Sequence, residues 1–448
     1  MWRAEVDPRL RSNVMVVGVL DTAPDWERLV AAHEWATRLI PRLRQRVVEP
    51  AFGLGIPSWE VVEHLDLDAH LRRMRVAGGV GLRELLDTAA ERAMPPFDRA
   101  RPLWDAVLVE GMEDGRAGYL LKLHHTLADG VGLVQLMSLL ASTTREHTPD
   151  KPEFPVPEPD TSSRPALLVG QLLRRLSAVP STLLGTARTA AGWAGQGVTH
   201  PWATVSDAAA FTGSVLRAAT PPAVEGSALL AARSGSWHFE TLDVPLPALK
   251  AAGSTLDASL NDAFLAALLG AYRRYHEHFG VVPAEIPIGM PVNLRARGDA
   301  PGGNRWAGTR FAVPLAEPDP ARRMLGVREA VRAVVNAPVV DGIGLVAPLL
   351  ARLPPPVLAR IQGGATSGND LQASNVPGVA DPVYLAGAQL VRVYPFAPLS
   401  GCAATVALTS HHGTCCVAAN IDPAAITETE VFARCLQEGF DEVLDLAR

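Results

Sequence analysis

Over residues 148–165 the sequence turns to Pro, Glu, Asp and Ser, the chemistry of a linker, and this stretch separates two parts of like character. The chain has 448 residues, too many for one ordinary core, and its length points to two or three domains. A chain of this size buries about three quarters of its unfolded surface, so it has no need of disulfide staples. Before the break, apolar runs predict strands over 15–20, 104–109 and 119–123. Helical spacing marks 26–39, 82–93 and 131–140, and Pro95-Pro96 closes the second of these. The second part resumes near Ser236, with strands expected over 237–244, 286–292, 383–393 and 403–410. A long apolar helix over 260–279 stops at Gly280, a usual end signal. No short fixed-period repeat is visible. The reading is an α/β (α+β) chain divided as 1–145, 146–235 and 236–448.

Between residues 161 and 206 there is no acidic residue, while Arg164, Arg174, Arg175 and Arg188 accompany Leu167, Leu168, Leu172, Leu173 and Leu176. Such a basic amphipathic stretch either packs across the two domains or lies on an anionic membrane or lipid-droplet surface. Packing is the simpler reading. The net charge of −6 lacks the basic surplus of a nucleic-acid binder. Cys402, Cys415, Cys416 and Cys435 all lie late, with no C-x-x-C pair to hold zinc, which fits free thiols in a reducing cytoplasm. The first twenty residues carry Arg3, Glu5, Asp7, Arg9 and Arg11 and give no signal-peptide core. No apolar run reaches the ~18 residues of a membrane span, so the expectation is a soluble or peripheral protein.

Residues 124–130 read His-His-Thr-Leu-Ala-Asp-Gly, at a junction from predicted strand through loop to predicted helix. Histidine is the side chain best suited to move protons near neutral pH, with an ordinary pKa of about 6.5. Neighbours on a strand face opposite ways, so His124 and His125 cannot do the same job. Taken alone, a His-His pair ending a strand is more often structural than catalytic, and Asp129-Gly130 can be plain turn chemistry. No G-x-S-x-G elbow, Walker A or complete G-x-G-x-x-G sequence occurs, which argues against an α/β-hydrolase, phosphoryl transfer and dinucleotide chemistry.

The His-His-x-x-x-Asp-Gly stretch resembles that of CoA-dependent acyltransferases of the chloramphenicol acetyltransferase type. Among them the chain is most similar to the bacterial wax ester synthase/diacylglycerol acyltransferase family. The N-terminal part offers Ile40-Pro41-Arg42-Leu43-Arg44-Gln45-Arg46, Asp68-Ala69-His70-Leu71 and Arg101-Pro102-Leu103-Trp104. The C-terminal part offers Leu260-Asn261-Asp262, Pro291-Val292-Asn293-Leu294-Arg295, Gly303-Asn304-Arg305 and Ser374-Asn375-Val376-Pro377-Gly378. Their order along one chain carries the resemblance.

That resemblance implies two chloramphenicol acetyltransferase-like domains, each a mixed sheet with flanking helices, enclosing a central channel. It implies an O-acyltransferase moving a long acyl chain from acyl-CoA to diacylglycerol or a fatty alcohol. Acyl-CoA is a co-substrate, and neither a resident cofactor nor a metal is expected. By the same resemblance His125 is the general base and His124 a shaping residue. Asp129 either orients the imidazole, as in a triad, or turns away to hold the loop against Arg295. Gly130 permits a turn or a close approach. Asn261 is either an oxyanion donor or a residue serving the start of its helix. Ser374 and Asn375 read locally as a polar turn, and the resemblance places them near the channel; Pro102-Leu103-Trp104 reads as scaffold. Ser410-His411-His412-Gly413 departs from the Ser-Tyr and later glycine common in the family, and beside family members with a longer first segment the start reads as abbreviated. A carrier-bound donor, as in condensation domains, and a non-catalytic lipid-binding homologue stand as alternatives.

Overall fold

The computed structural model describes residues 1–50, 57–147, 151–159, 224–293, 306–335, 353–366 and 368–448. The basic stretch 161–206 lies outside them. Strand β1 (Asn13–Leu20) is buried along its whole length, as its unbroken apolar run demands. Asp25 starts helix α1 (Trp26–Leu39) by accepting the Arg28 N–H at 2.9 Å. A small antiparallel ribbon of β2 (Gln45–Val48) and β3 (Ser58–Val61) follows, then one helical turn, α2 (Leu67–His70). Next come β4 (Leu71–Val80), α3 (Leu82–Ala93), β5 (Trp104–Met112), β6 (Ala117–His124) and α4 (Gly130–Leu140).

The later part runs β7 (His238–Pro245), α5 (Leu246–Ser254), α6 (Leu260–His278), β8 (Glu285–Asn293), β9 (Trp306–Pro314) and α7 (Pro320–Val335). It continues with α8 (Pro355–Thr366), β10 (Leu371–Val376), β11 (Tyr384–Leu385), β12 (Ala388–Phe396), β13 (Ala404–His411), β14 (Thr414–Ile421) and α9 (Thr429–Leu444). Helix α6 is bounded at both ends by local chemistry. Ser259 and Asp262 form a reciprocal capping box. At the other end Gly280, at φ +72°, donates to Glu277 and Val281 donates to His276, a Schellman end.

Two mixed six-stranded sheets result, in the orders β11-β12-β1-β6-β5-β4 and β7-β14-β13-β10-β8-β9. The first sheet does not respect the division of the sequence at 236. Strand β12 pairs antiparallel with β1 from Met15↔Phe396 to Leu20↔Leu390, because β1, apolar on both faces, needs a partner on each edge. The single strand expected over 383–393 is instead a hairpin: Ala386 and Gly387, at φ 48° and 91°, turn the chain between β11 and β12.

One apolar cluster fills each half, and a third joins them, drawing Met15, Val17 and Val19 from β1, Phe396 from β12, and Phe239 and Ala418 from the second sheet. Phe239 and Phe396 stack with centroids 3.8 Å apart. Asp243 of β7 accepts the Tyr394 hydroxyl at 2.8 Å and pairs with Arg392 across the same junction. No described helix is long and apolar enough to cross a membrane.

Candidate active site

The site grows from the end of β6. His124 donates its backbone N–H to Leu103 and His125 donates its own to Ser12 at 2.8 Å, so the strand's end is pinned from both sides. The chain turns over Thr126–Ala128, and Asp129 then caps α4, its Oδ1 accepting the Gly132 N–H at 2.8 Å. This cap is a local consequence of Asp followed by a helical apolar pattern, and it fixes where the loop carrying His125 must end.

His124 and His125 have separate surroundings. The His124 ring is fully buried, with Nε2 2.8 Å from Glu5 Oε1 and Nδ1 2.7 Å from Thr126 Oγ1. Both its nitrogens are engaged in holding the loop. His125 lies on a cavity of about 290 Å³, whose wall also includes Asp129, Gly130, Gln372, Ser374 and Asn375. The cavity therefore draws on both halves of the chain. Ser374 and Asn375 are not in a turn: they belong to β10, paired in parallel with Ala407 and Leu408 of β13. The polar sequence suggests a loop because cavity-lining strand residues need no apolar side chain.

A second, apolar pocket of about 70 Å³ adjoins the first and shares Gly130 and Val376 with it. Leu133, Met137, Val379, Leu390 and His411 are among its walls. Gly130 answers a specific steric demand: a Cβ there would come 2.7 Å from Val376 Cγ2. The close approach is of α4 to β10, one half of the chain to the other. Gly378 is held more tightly still, a Cβ there falling 1.9 Å from the Ser410 carbonyl.

The earlier motifs meet behind this site. Trp104 stacks on His70 at 4.8 Å, accepts its ring N–H through the backbone carbonyl, and donates its indole N–H to Leu43 at 2.8 Å. Three separate stretches of the N-terminal sequence thus converge on one buried scaffold.

A profile of the wax ester synthase/diacylglycerol acyltransferase catalytic domain matches residues 8–264, and one of the WS/DGAT C-terminal domain matches residues 302–443. The chain belongs to this family of acyltransferases. A protein of Mycobacterium tuberculosis (strain H37Rv), provisionally named a diacylglycerol O-acyltransferase, is 42% identical over 100% of this chain and 90% of its own length. A second from that organism, also provisionally named so, is 27% identical over 86% of this chain and 82% of its own. The wax ester synthase/diacylglycerol acyltransferase of Marinobacter aquaeolei VT8 superposes with a TM-score of 0.61 at 19% identity, over 98% of this chain and 96% of that one. The first condensation domain of the calcium-dependent antibiotic synthetase gives 0.60 at 17%, over 100% and 94%. The fold is thus the chloramphenicol acetyltransferase-like one expected.

Within this WS/DGAT chain the remaining candidates separate. Asn261 does not cap its helix, since Ser259 does, and it does not line the His125 cavity; its Nδ2 contacts Met290 Sδ at 3.8 Å, one residue from Pro291 of the cavity wall. Arg295 and Gly303-Asn304-Arg305 lie outside the described residues. His411 donates its Nε2–H to the Leu390 carbonyl at 2.7 Å, tying β13 to β12. Burial lowers its pKa, so the ring stays neutral. Among the described residues no cluster of three or more His, Cys, Asp or Glu could hold a metal. Glu5 and Ser12, which belong to none of the sequence motifs, support the site. No local pattern flags them, because their partners lie more than a hundred residues downstream.

Proposed function

We propose that this WS/DGAT chain transfers a long acyl group from acyl-CoA to the free hydroxyl of diacylglycerol. The observation that carries the reading is the placement of His125 on a cavity with polar groups from both halves, beside an apolar pocket that shares Gly130 and Val376 with it. A thioester carbonyl and a hydroxyl fit the polar side, and hydrocarbon fits the other. The 42% identical relative's name supports diacylglycerol as acceptor over a fatty alcohol.

The reaction needs no covalent acyl-enzyme. His125 takes the hydroxyl proton as the oxygen attacks the thioester carbonyl. The tetrahedral intermediate collapses, the C–S bond breaks, and the CoA thiolate leaves with the proton held by His125. Ser374 and Asn375, which line the same cavity as His125, are nominated to meet the negative charge on the carbonyl oxygen. Asp129 serves by capping α4, and Asn261 supports the cavity wall through Met290.

The test is thiol release from palmitoyl-CoA with diacylglycerol or hexadecanol supplied separately, beside His125→Ala. Diacylglycerol-dependent release that falls at least about 100-fold in the variant, with circular dichroism unchanged, is the expected result. Faster release with hexadecanol would reassign the acceptor, and release surviving in His125→Ala would remove His125 from its role.

A further inference from the structure

Glu5 stands in the short 3-10 turn Trp2–Val6, far in sequence from the catalytic motif. Its Oε1 is a meeting point. It accepts the Ser12 backbone N–H at 2.6 Å and lies 2.8 Å from His124 Nε2. The carbonyl of the same Ser12 accepts the backbone N–H of His125.

The protonation of His124 follows from its other neighbour. The Thr126 backbone N–H approaches Nδ1 at 3.2 Å, and a backbone N–H can only donate. Nδ1 is therefore the acceptor, the ring proton sits on Nε2, and it points at Glu5. The residues on either side of His125 are thus held through one imidazole ring, which Trp2 packs edge-on at 5.4 Å and Phe97 at 6.4 Å.

We propose that Glu5 is a positioning residue for His125, fixing its backbone through Ser12 and its flanking residues through His124 while touching no substrate. The proposal rests on the acyl-transfer reading above. A base held about 1 Å out of place costs on the order of 100-fold in rate, so the effect belongs in kcat rather than in substrate binding.

The experiment compares wild type with Glu5→Ala, Glu5→Gln and Glu5→Asp, by kcat and acyl-CoA KM per folded molecule and by ¹⁵N imidazole NMR of His124. Glu5→Ala lowers kcat roughly 10- to 100-fold with KM within about twofold. Glu5→Gln, whose amide oxygen can accept both donors, regains most of that loss, and Glu5→Asp, one methylene short, falls between. His124 reads as the Nε2–H tautomer in wild type and Glu5→Gln and loses that signature in Glu5→Ala. If Glu5→Ala does not fold, the aspartate and glutamine variants carry the comparison. Unchanged kcat in folded Glu5→Ala, or a glutamine variant as slow as alanine, overturns the proposal. An inactive wild type instead overturns the acyl-transfer reading, and a His124 tautomer indifferent to Glu5→Ala overturns the contact itself.

Discussion

Gly130 and Val376 touch across the two halves of the chain: a methyl group on the Gly130 α-carbon would sit 2.7 Å from Val376 Cγ2. Gly130 does not occupy the left-handed region, so its smallness, not its backbone freedom, is what the position uses. Gly130→Ala should cost about 1–3 kcal/mol of stability, as overpacked cores do, and should slow acyl transfer by forcing α4 from β10. Val376→Ala in the same chain should recover both. The check is a double-mutant cycle on urea midpoints and initial rates, and additive effects would mean that the two residues do not share this contact.

Asp129 carries a separable prediction. Its Oδ1 closes the first turn of α4 on the Gly132 N–H, so Asp129→Ala should lose about 1 kcal/mol, while Asp129→Asn, an equally good cap, should keep most of it. Thermal melts of the three proteins decide this. An asparagine variant as unstable as alanine would show that the charge matters more than the cap.

Two buried groups set opposite pH slopes. His33 is pushed down to about 4 by burial, with Nδ1 donating to Leu29 and Nε2 accepting from Tyr119. The unfolded chain binds that proton more tightly, so this group's stability is complete above about pH 6.5 and is lost as pH falls toward 4. Asp370 is pushed up to about 6, again by burial. It takes up a proton on acidification while still folded, so it adds stability as pH falls from about 6 toward 4. Each shift corresponds to roughly 3 kcal/mol, and the wild-type slope should be shallow where they oppose. His33→Gln should shift the slope toward greater stability at pH 4.5 and Asp370→Asn should bring out the acid loss, measured as urea midpoints at pH 7 and 4.5. Parallel slopes in all three proteins would reject the assignment.

What could be read beforehand follows from where the determining forces lie. Helix α1 is written locally, with Asp25 capping and apolar residues at helical spacing, and its expected bounds match those observed. Strand β1 is equally plain, since eight residues buried on both faces leave little else to be. The hairpin at Ala386-Gly387 was marked only by one glycine inside an apolar run, too weak a sign to break the strand over 383–393. Ser374 and Asn375 read as a turn in the sequence because their polarity belongs to the cavity and their pairing partner lies beyond residue 400. His125 was legible from its motif. Glu5 was not, because a carboxylate in a short turn acquires meaning only when the fold brings His124 to it.

The borrowed strand also orders events in time. A ribosome delivers residues 13–124 long before residues 388–396, and until the latter emerge β1 has β6 on one edge and nothing on the other. An apolar strand with a bare edge invites pairing with a neighbouring chain. The nascent first half therefore spends most of translation unfinished, and its sheet closes only when nearly nine tenths of the polypeptide has left the tunnel. Cutting the gene at the linker would yield not two small proteins but one incomplete sheet and a fragment carrying its missing strands.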